Sequence, residues 1–153
     1  MAIIRWISRK ELEKIEKELD YLKKHTVWVG FVGSEAEKKV NGVVIYMYAN
    51  FQEYGTSDIP SRHFFRTALN DNQKYIRKQF KESLGKVATG KMTGENALKS
   101  IGLEVQGLIQ DSIKNGNWEP NSARTIRKKE YKGQPLIETG SMLRAVSFEI
   151  RRK

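Results

Sequence analysis

The feature that most constrains the fold is a set of apolar residues spaced three and four positions apart, which is typical of helices that bury one face. Ser8-Arg9-Lys10-Glu11 has the form of a capping box and begins an N-terminal helix predicted over about 8–25. Two longer helices are predicted from about Asp71 to Gly90 and, with Thr93 as N-cap, from Gly94 to Asn115. The three stripes consist of Leu12, Ile15, Leu19 and Leu22; of Tyr75, Ile76, Phe80, Leu84 and Val87; and of Leu98, Ile101, Val105, Leu108, Ile109 and Ile113.

Two other segments have the composition or the alternation of strands. Thr26–Val32 is rich in β-branched and aromatic residues, and Val146–Ile150 alternates apolar with polar residues. Val43–Tyr54 is ambiguous at its start, but its apolar spacing favours a helix from about Tyr46 that ends before Gly55. We therefore expect an α+β fold, with two long helices and the N-terminal helix packed on a small, mainly antiparallel β-sheet and with long loops.

The length of 153 residues suits a single domain spanning 1–153. The polar segment from Gly33 to Gly42 closes with a turn signal and predicts an exposed loop. Residues 115–138 contain few aliphatic side chains, which predicts a long mobile loop with one helical turn near 123–128. Thr139 is a predicted cap for a short helix after this loop.

The residue types argue against an enzyme. The chain has no cysteine and two histidines, so thiolate chemistry is excluded and a metal site is not expected. No nucleophile, phosphate-loop or metal-protease motif is present, and Glu53 with His63, an acid and a histidine close in sequence, is interpreted as non-catalytic. We expect no cofactor. The longest apolar run, Val43–Ala49, is too short for a membrane helix, and the first residues lack a signal-peptide pattern.

The net charge of +10 is concentrated toward the end of the sequence, where residues 122–153 hold nine lysines and arginines against three acidic residues. Trp118 and Tyr131 add aromatic surface, as in proteins that bind single-stranded nucleic acid. A solvated or partner-facing basic loop is the competing interpretation, because no known nucleic-acid-binding motif accompanies the charge. The predicted basic patch consists of Arg124, Arg127, Lys128, Lys129, Lys132, Arg151 and Arg152.

Two motifs carry a family resemblance. Ala49-Asn50-Phe51-Gln52-Glu53-Tyr54-Gly55-Thr56, followed by Ile59-Pro60-Ser61-Arg62-His63-Phe64-Phe65-Arg66, resembles a pattern of phage virion-morphogenesis and minor tail proteins. Pro135-Leu136-Ile137-Glu138-Thr139-Gly140-Ser141-Met142-Leu143-Arg144 resembles a second pattern near the C-terminus of the same proteins. Their order and spacing match, whereas His63 stands where the family usually has proline. The family is similar to the tail-completion and neck components of tailed bacteriophages.

This resemblance implies a structural virion protein of a phage or prophage that acts in tail completion or head-tail joining by ring-type self-assembly. The implied partners are copies of itself, with a hexamer as one option, other tail or head-connector proteins, and transiently DNA; no membrane is implied. The implied location is the virion tail or neck, after synthesis in the cytoplasm of the bacterial host. The residues predicted at the interface are Glu53, Ile59, Pro60, Arg62, Phe64, Phe65, Arg66 and Trp118.

Alternatives remain open at this point. Phe64 and Phe65 suit either the core or a neighbouring subunit, and Glu53 is placed to pair with Arg62 or Arg66 and hold the linker to a helix end. The alternative function is that of a prophage protein that binds nucleic acid without sequence specificity through its basic C-terminal region. A prophage regulator that binds DNA through the same region is a third reading.

Overall fold

The protein is described by a computed structural model over residues 7–123, 126–127, 135–137 and 139–153. The fold is α+β and mainly helical, as the sequence predicted. In chain order the described elements are α1 (Arg9–Lys24), β1 (His25–Gly30), α2 (Ser34–Glu37), β2 (Lys39–Val40), β3 (Val43–Val44), α3 (Ile45–Tyr54), α4 (Phe64–Asp71), α5 (Gln73–Ala88), α6 (Gly94–Asn115), α7 (Ser141–Ala145) and β4 (Ser147–Arg152).

The main sheet joins the strand that follows α1 to the last strand of the chain. Strands β1 and β4 pair antiparallel, from His25 opposite Arg152 to Gly30 opposite Ser147. A second two-stranded sheet is the hairpin of β2 and β3, which turns at Asn41 and Gly42 with φ angles of 53° and 82°. Positive φ at both central residues is what a tight hairpin turn requires, so this Asn-Gly pair fixes the hairpin.

Helix α6 lies at the centre of the molecule and contacts α1, α4, α5 and both strands of the main sheet. Its buried side chains include Ile101, Val105, Ile109 and Ile113. Gly102 faces Phe148 of β4 so closely that an added Cβ atom would lie 2.4 Å from the ring. A glycine at this position therefore allows the strand to pack directly on the helix backbone.

The starts of α1 and α6 follow the local signals. Ser8 Oγ accepts a hydrogen bond from the Glu11 amide at 3.2 Å, and Glu11 Oε2 accepts one from the Ser8 amide at 2.9 Å, which completes the predicted capping box. The Asn96 amide donates to Thr93 Oγ1 at 3.2 Å, as predicted for an N-cap. At α7 the N-cap position is Gly140, and Oγ1 of the preceding Thr139 accepts a hydrogen bond from the Ser141 amide at 3.3 Å.

Two predictions were wrong. The segment between Gly33 and Gly42 is mostly exposed as predicted, but it is not a loop, because it contains α2 and strand β2, and Ala36 is only 1% exposed. On α5, Tyr75, Phe80 and Leu84 of the predicted core stripe are exposed. The helix turns a different line of residues toward α6, because packing selects the side that fits the neighbouring helix rather than the most apolar side.

The predicted loop at 115–138 is described at 115–123, 126–127 and 135–137. Within it the Ile126 amide donates to the Ser122 carbonyl at 3.0 Å, as in a helical turn. The mobility of this loop and the single-domain organisation stay predictions. Among the described residues, no helix is long and apolar enough to cross a membrane.

Candidate assembly surface

The linker between α3 and α4 is a closed turn. The Thr56 amide donates to the Ile59 carbonyl at 2.8 Å, and Thr56 Oγ1 accepts from the Asp58 and Ile59 amides at 3.2 and 3.1 Å. Gly55 has a φ of +78°, and a Cβ atom there would lie 3.0 Å from both the Ile59 carbonyl oxygen and the Ser61 amide nitrogen. Glycine is thus required where the helix ends and the turn begins. Ile59 and Pro60 remain half-buried at the surface.

Glu53, at the last turn of α3, caps the start of α4. Its carboxylate accepts hydrogen bonds from the backbone amides of Phe65 at 2.9 Å and Arg66 at 3.2 Å, whereas the side chain of His63, the N-cap residue, makes no capping bond. A negative charge at a helix N-terminus also interacts favourably with the helix dipole. The predicted partner Arg66 is nearby, with its Nε 3.9 Å from Glu53 Oε1. Glu53 thereby fixes the angle between α3 and α4.

Arg62, the other predicted partner of Glu53, is directed elsewhere. Its guanidinium donates to the side-chain oxygen of Gln52, to the Glu119 carbonyl at 2.7 Å and to Asn121 Oδ1 at 3.1 Å. The residue is only 2% exposed, and burial lowers the pKa of Arg62 from its ordinary value. This side chain therefore ties the end of α3 to the chain that leaves α6.

The predicted interface residues fall into a buried group and an accessible group. Glu53, Arg62 and Phe64 are 6%, 2% and 1% exposed, so a contact with a neighbouring subunit would require them to leave the interior. Phe65 is half-buried with its ring against Gly30, and Trp118 is half-buried with Nε1 donating to the Ser112 carbonyl at 2.9 Å. The accessible part of the prediction is Ile59, Pro60, Phe65, Arg66 and Trp118.

Sequence reasoning missed the outer face of α3, which is defined by Tyr46, Met47, Phe51 and Tyr54. These side chains are 44%, 41%, 37% and 66% exposed, with exposed Asn50 between them. The opposite side of the same helix buries Ile45 and Ala49 in the core. The four side chains of the outer face of α3 thus form an exposed apolar patch in the described part of the chain.

A groove of about 510 Å³ lies beside this face, between α3, α4 and the end of β1. Its walls include Phe31 and Phe65, and its rim carries Tyr46 and Tyr54. The guanidinium of Arg66 lies over the ring of Tyr54, with Cζ 5.6 Å from the ring centroid. The aromatic face and the groove together form a continuous region suited to the side chains of another protein surface.

The predicted basic patch is described in part. Arg124, Lys128, Lys129 and Lys132 lie outside the described residues, as does Tyr131. Arg127 and Arg152 are exposed. Arg151 pairs with Glu149 at 2.6 Å and lies over the Trp28 ring at 5.0 Å, so its charge is partly satisfied within the chain.

The acid and the histidine that lie close in sequence, Glu53 and His63, have different surroundings. Both carboxylate oxygens of Glu53 accept backbone amides, and His63 is exposed. No cluster of three or more potential metal ligands occurs among the described residues.

Comparisons with protein-family models, with curated proteins and with solved structures found no match.

Proposed function

We propose that this chain is a structural protein of a tailed phage or prophage virion, acting in tail completion or head-tail joining through self-assembly into a ring. The observation that carries the proposal is the outer face of α3, where four large apolar side chains are exposed on one helix. The resemblance of the two motifs supplies the setting, the virion tail or neck. The implied partners are copies of the chain and other tail or head-connector proteins.

The exposed face is held in a fixed orientation by the first motif. Glu53 caps α4, Gly55 permits the turn, and Arg62 binds the chain beyond α6. The carboxylate of Glu53 binds α4, and Arg62 joins Gln52 of α3 to the chain beyond α6, so a rotation of α3 would break bonds to both segments. A surface that is rigid before binding loses less conformational entropy on association, which favours its use as an interface.

A ring requires one face of a subunit to meet a different face of the next, with a rotation that closes. The outer face of α3 is one such face, and it displays uncharged apolar side chains. Large aromatic side chains at the centre of a contact typically contribute most of its binding energy. We therefore expect the loss of Phe51 and Tyr54 to weaken assembly more than the loss of apolar residues elsewhere on the surface.

The test compares two double variants by sedimentation velocity over a concentration series. Phe51→Ser with Tyr54→Ser removes the centre and the end of the outer face of α3. The matched control, Leu12→Ser with Leu103→Ser, removes two side chains that are 50% and 60% exposed on α1 and α6. We expect the first variant to remain monomeric where the wild type and the control assemble.

Circular dichroism of both variants shows whether the helical fold is retained, so that loss of assembly is not mistaken for unfolding. Assembly of the Phe51→Ser, Tyr54→Ser variant at wild-type concentrations would contradict a role for α3. Equal loss in both variants would contradict it as well, because the effect would then follow general surface hydrophobicity.

A further inference from the structure

Among the described helices, α5 carries the largest net positive charge. Residues 72–91 contain six lysines and arginines and one acidic residue, Glu82. The following stretch, residues 92–121, contains two basic and four acidic residues. A single helix and its C-terminal turn thus account for much of the positive charge of the chain.

The helix directs this charge to one side. Lys74, Arg77, Lys78 and Lys81 are all exposed, and we define them as the basic face of α5. Residues three and four positions apart on a helix have Cβ atoms about 5–6 Å apart, so the four cations form one band. The opposite side of α5, with Ile76, Gln79, Ser83 and Val87 least exposed, packs against α6.

The cations of the basic face are poorly neutralised. Lys78 lies 3.9 Å from Glu82, and Lys74, Arg77 and Lys81 form no ion pair with any described residue. On α1, by comparison, Arg9 pairs with Glu13 at 3.2 Å and Lys24 with Asp20 at 2.5 Å. Uncompensated like charges along one helix repel each other, and a polyanion bound there would relieve that repulsion.

Two apolar side chains border the band. Phe80 is 47% exposed and Leu84 is 38% exposed, each within one turn of Arg77 or Lys81. An exposed aromatic ring beside cations can stack on a base while the cations bind phosphates. Insertion into a lipid surface is less suited to this helix, because its inner side is already packed against α6 and two half-exposed side chains provide little area to bury.

We propose that the basic face of α5 binds the phosphate backbone of nucleic acid without sequence specificity. The attraction between the cations and the phosphates is electrostatic, so the affinity falls as the salt concentration rises. Single strands and duplexes present the same phosphate chemistry, and Phe80 adds a stacking surface for unpaired bases. The inference concerns a different element from the outer face of α3 and does not depend on assembly.

The test measures fluorescence anisotropy of a labelled single strand and of the same sequence as a duplex, over a salt series. The α5 variant carries glutamine in place of Lys74, Arg77, Lys78 and Lys81. The α1 control variant carries glutamine in place of Lys10, Lys14, Lys17 and Lys23, which are also exposed, so both variants have the same net charge. Glutamine and lysine have similar helix propensity, so both folds should be retained.

We expect the wild type and the α1 variant to bind at low salt, and the α5 variant to bind at least about tenfold more weakly than the α1 variant. The slope of log affinity against log salt should flatten by about 0.9 per lost phosphate contact on the duplex and about 0.7 on the single strand. The tighter of the two ligands identifies which form of nucleic acid the face accepts.

Equal binding by the two variants would overturn the proposal, since net charge alone would then explain the affinity. Absence of wild-type binding at low salt would also overturn it, as would capture by phosphatidylserine vesicles without binding to either nucleic acid. Light scattering on the same variants separates this proposal from assembly, because the α5 substitutions leave the outer face of α3 intact.

Discussion

The buried guanidinium of Arg62 hydrogen-bonds neutral oxygens of Gln52, Glu119 and Asn121. Desolvating a charge is costly, and these hydrogen bonds offset the cost while the planar guanidinium binds two segments at once, α3 and the chain after α6. Two of the partners are 57 and 59 residues away in sequence, so the arginine crosslinks distant parts of the chain. Arg62 therefore determines the path of the chain after α6.

Replacing Arg62 tests this crosslink. Arg62→Ala leaves the buried side-chain oxygen of Gln52 and two partly buried acceptors without this donor, and should lower the free energy of unfolding by about 3 kcal/mol. Arg62→Lys should recover only part of the loss, because an ammonium group lacks the planar fork. Urea unfolding followed by tryptophan fluorescence measures both changes.

Arg66→Ala is the matched control, because Arg66 is exposed and its ion pair with Glu53 is long at 3.9 Å. It should change the free energy of unfolding by about 0.5 kcal/mol or less. Equal effects of Arg62→Ala and Arg66→Ala would contradict the role assigned to Arg62.

The carboxylate of Glu53 supports a second prediction at this scale. Glu53→Gln keeps one acceptor oxygen but removes the negative charge at the start of α4, and should lower the free energy of unfolding by about 1 kcal/mol. Glu16→Gln, at an exposed site on α1, should change it by less than about 0.5 kcal/mol. Parallel urea titrations compare the two, and indistinguishable midpoints would argue against the cap.

At the scale of elements, helices with local signals were predicted well. Helix α6 begins after Thr93 and ends at Asn115 as expected, because its N-cap and its apolar stripe agree. The burial of Arg62 was not predictable, since its partners Glu119 and Asn121 lie beyond α6. Local sequence determines where a helix begins and ends, whereas the tertiary fold determines which residues its side chains contact.

The exposed faces of α5 and α3 also could not be predicted from local sequence. On α5 the apolar line through Phe80 and Leu84 differs from the buried line through Ser83 and Val87, because α6 determines which side is covered. On α3 seven of the ten residues are apolar or aromatic, and the buried side includes polar Gln52 and Glu53, so periodicity does not distinguish the outside from the inside. The exposures in the structure were therefore needed to recognise both candidate binding surfaces.

The close contact between α6 and the main sheet predicts that alanine has opposite effects on the free energy of unfolding at two glycines of α6, Gly102 and Gly107. Gly102→Ala places a methyl group 2.4 Å from the Phe148 ring and should lower the free energy of unfolding by about 1–3 kcal/mol. Gly107→Ala meets nothing within 4 Å and should raise it by up to about 1 kcal/mol through helix propensity. Thermal and urea unfolding measure both, and destabilisation by Gly107→Ala would contradict the exposure of that site.

At the scale of the whole molecule, two surfaces are arranged for different partners. The outer face of α3 is apolar and uncharged, whereas the basic face of α5 is charged with few apolar side chains. Apolar contacts persist in salt and electrostatic ones weaken, so assembly and nucleic-acid binding should respond differently to ionic strength. A protein that completes a ring and contacts a polyanion would use both surfaces together.

The central claim is self-assembly, and its most direct test is the mass of the wild-type protein in solution. Multi-angle light scattering over a concentration series at moderate salt gives that mass without reference to shape. The proposal predicts a mass that rises with concentration toward a fixed multiple of the chain's 17.7 kDa. A mass that stays at that of a single chain at every concentration would contradict it.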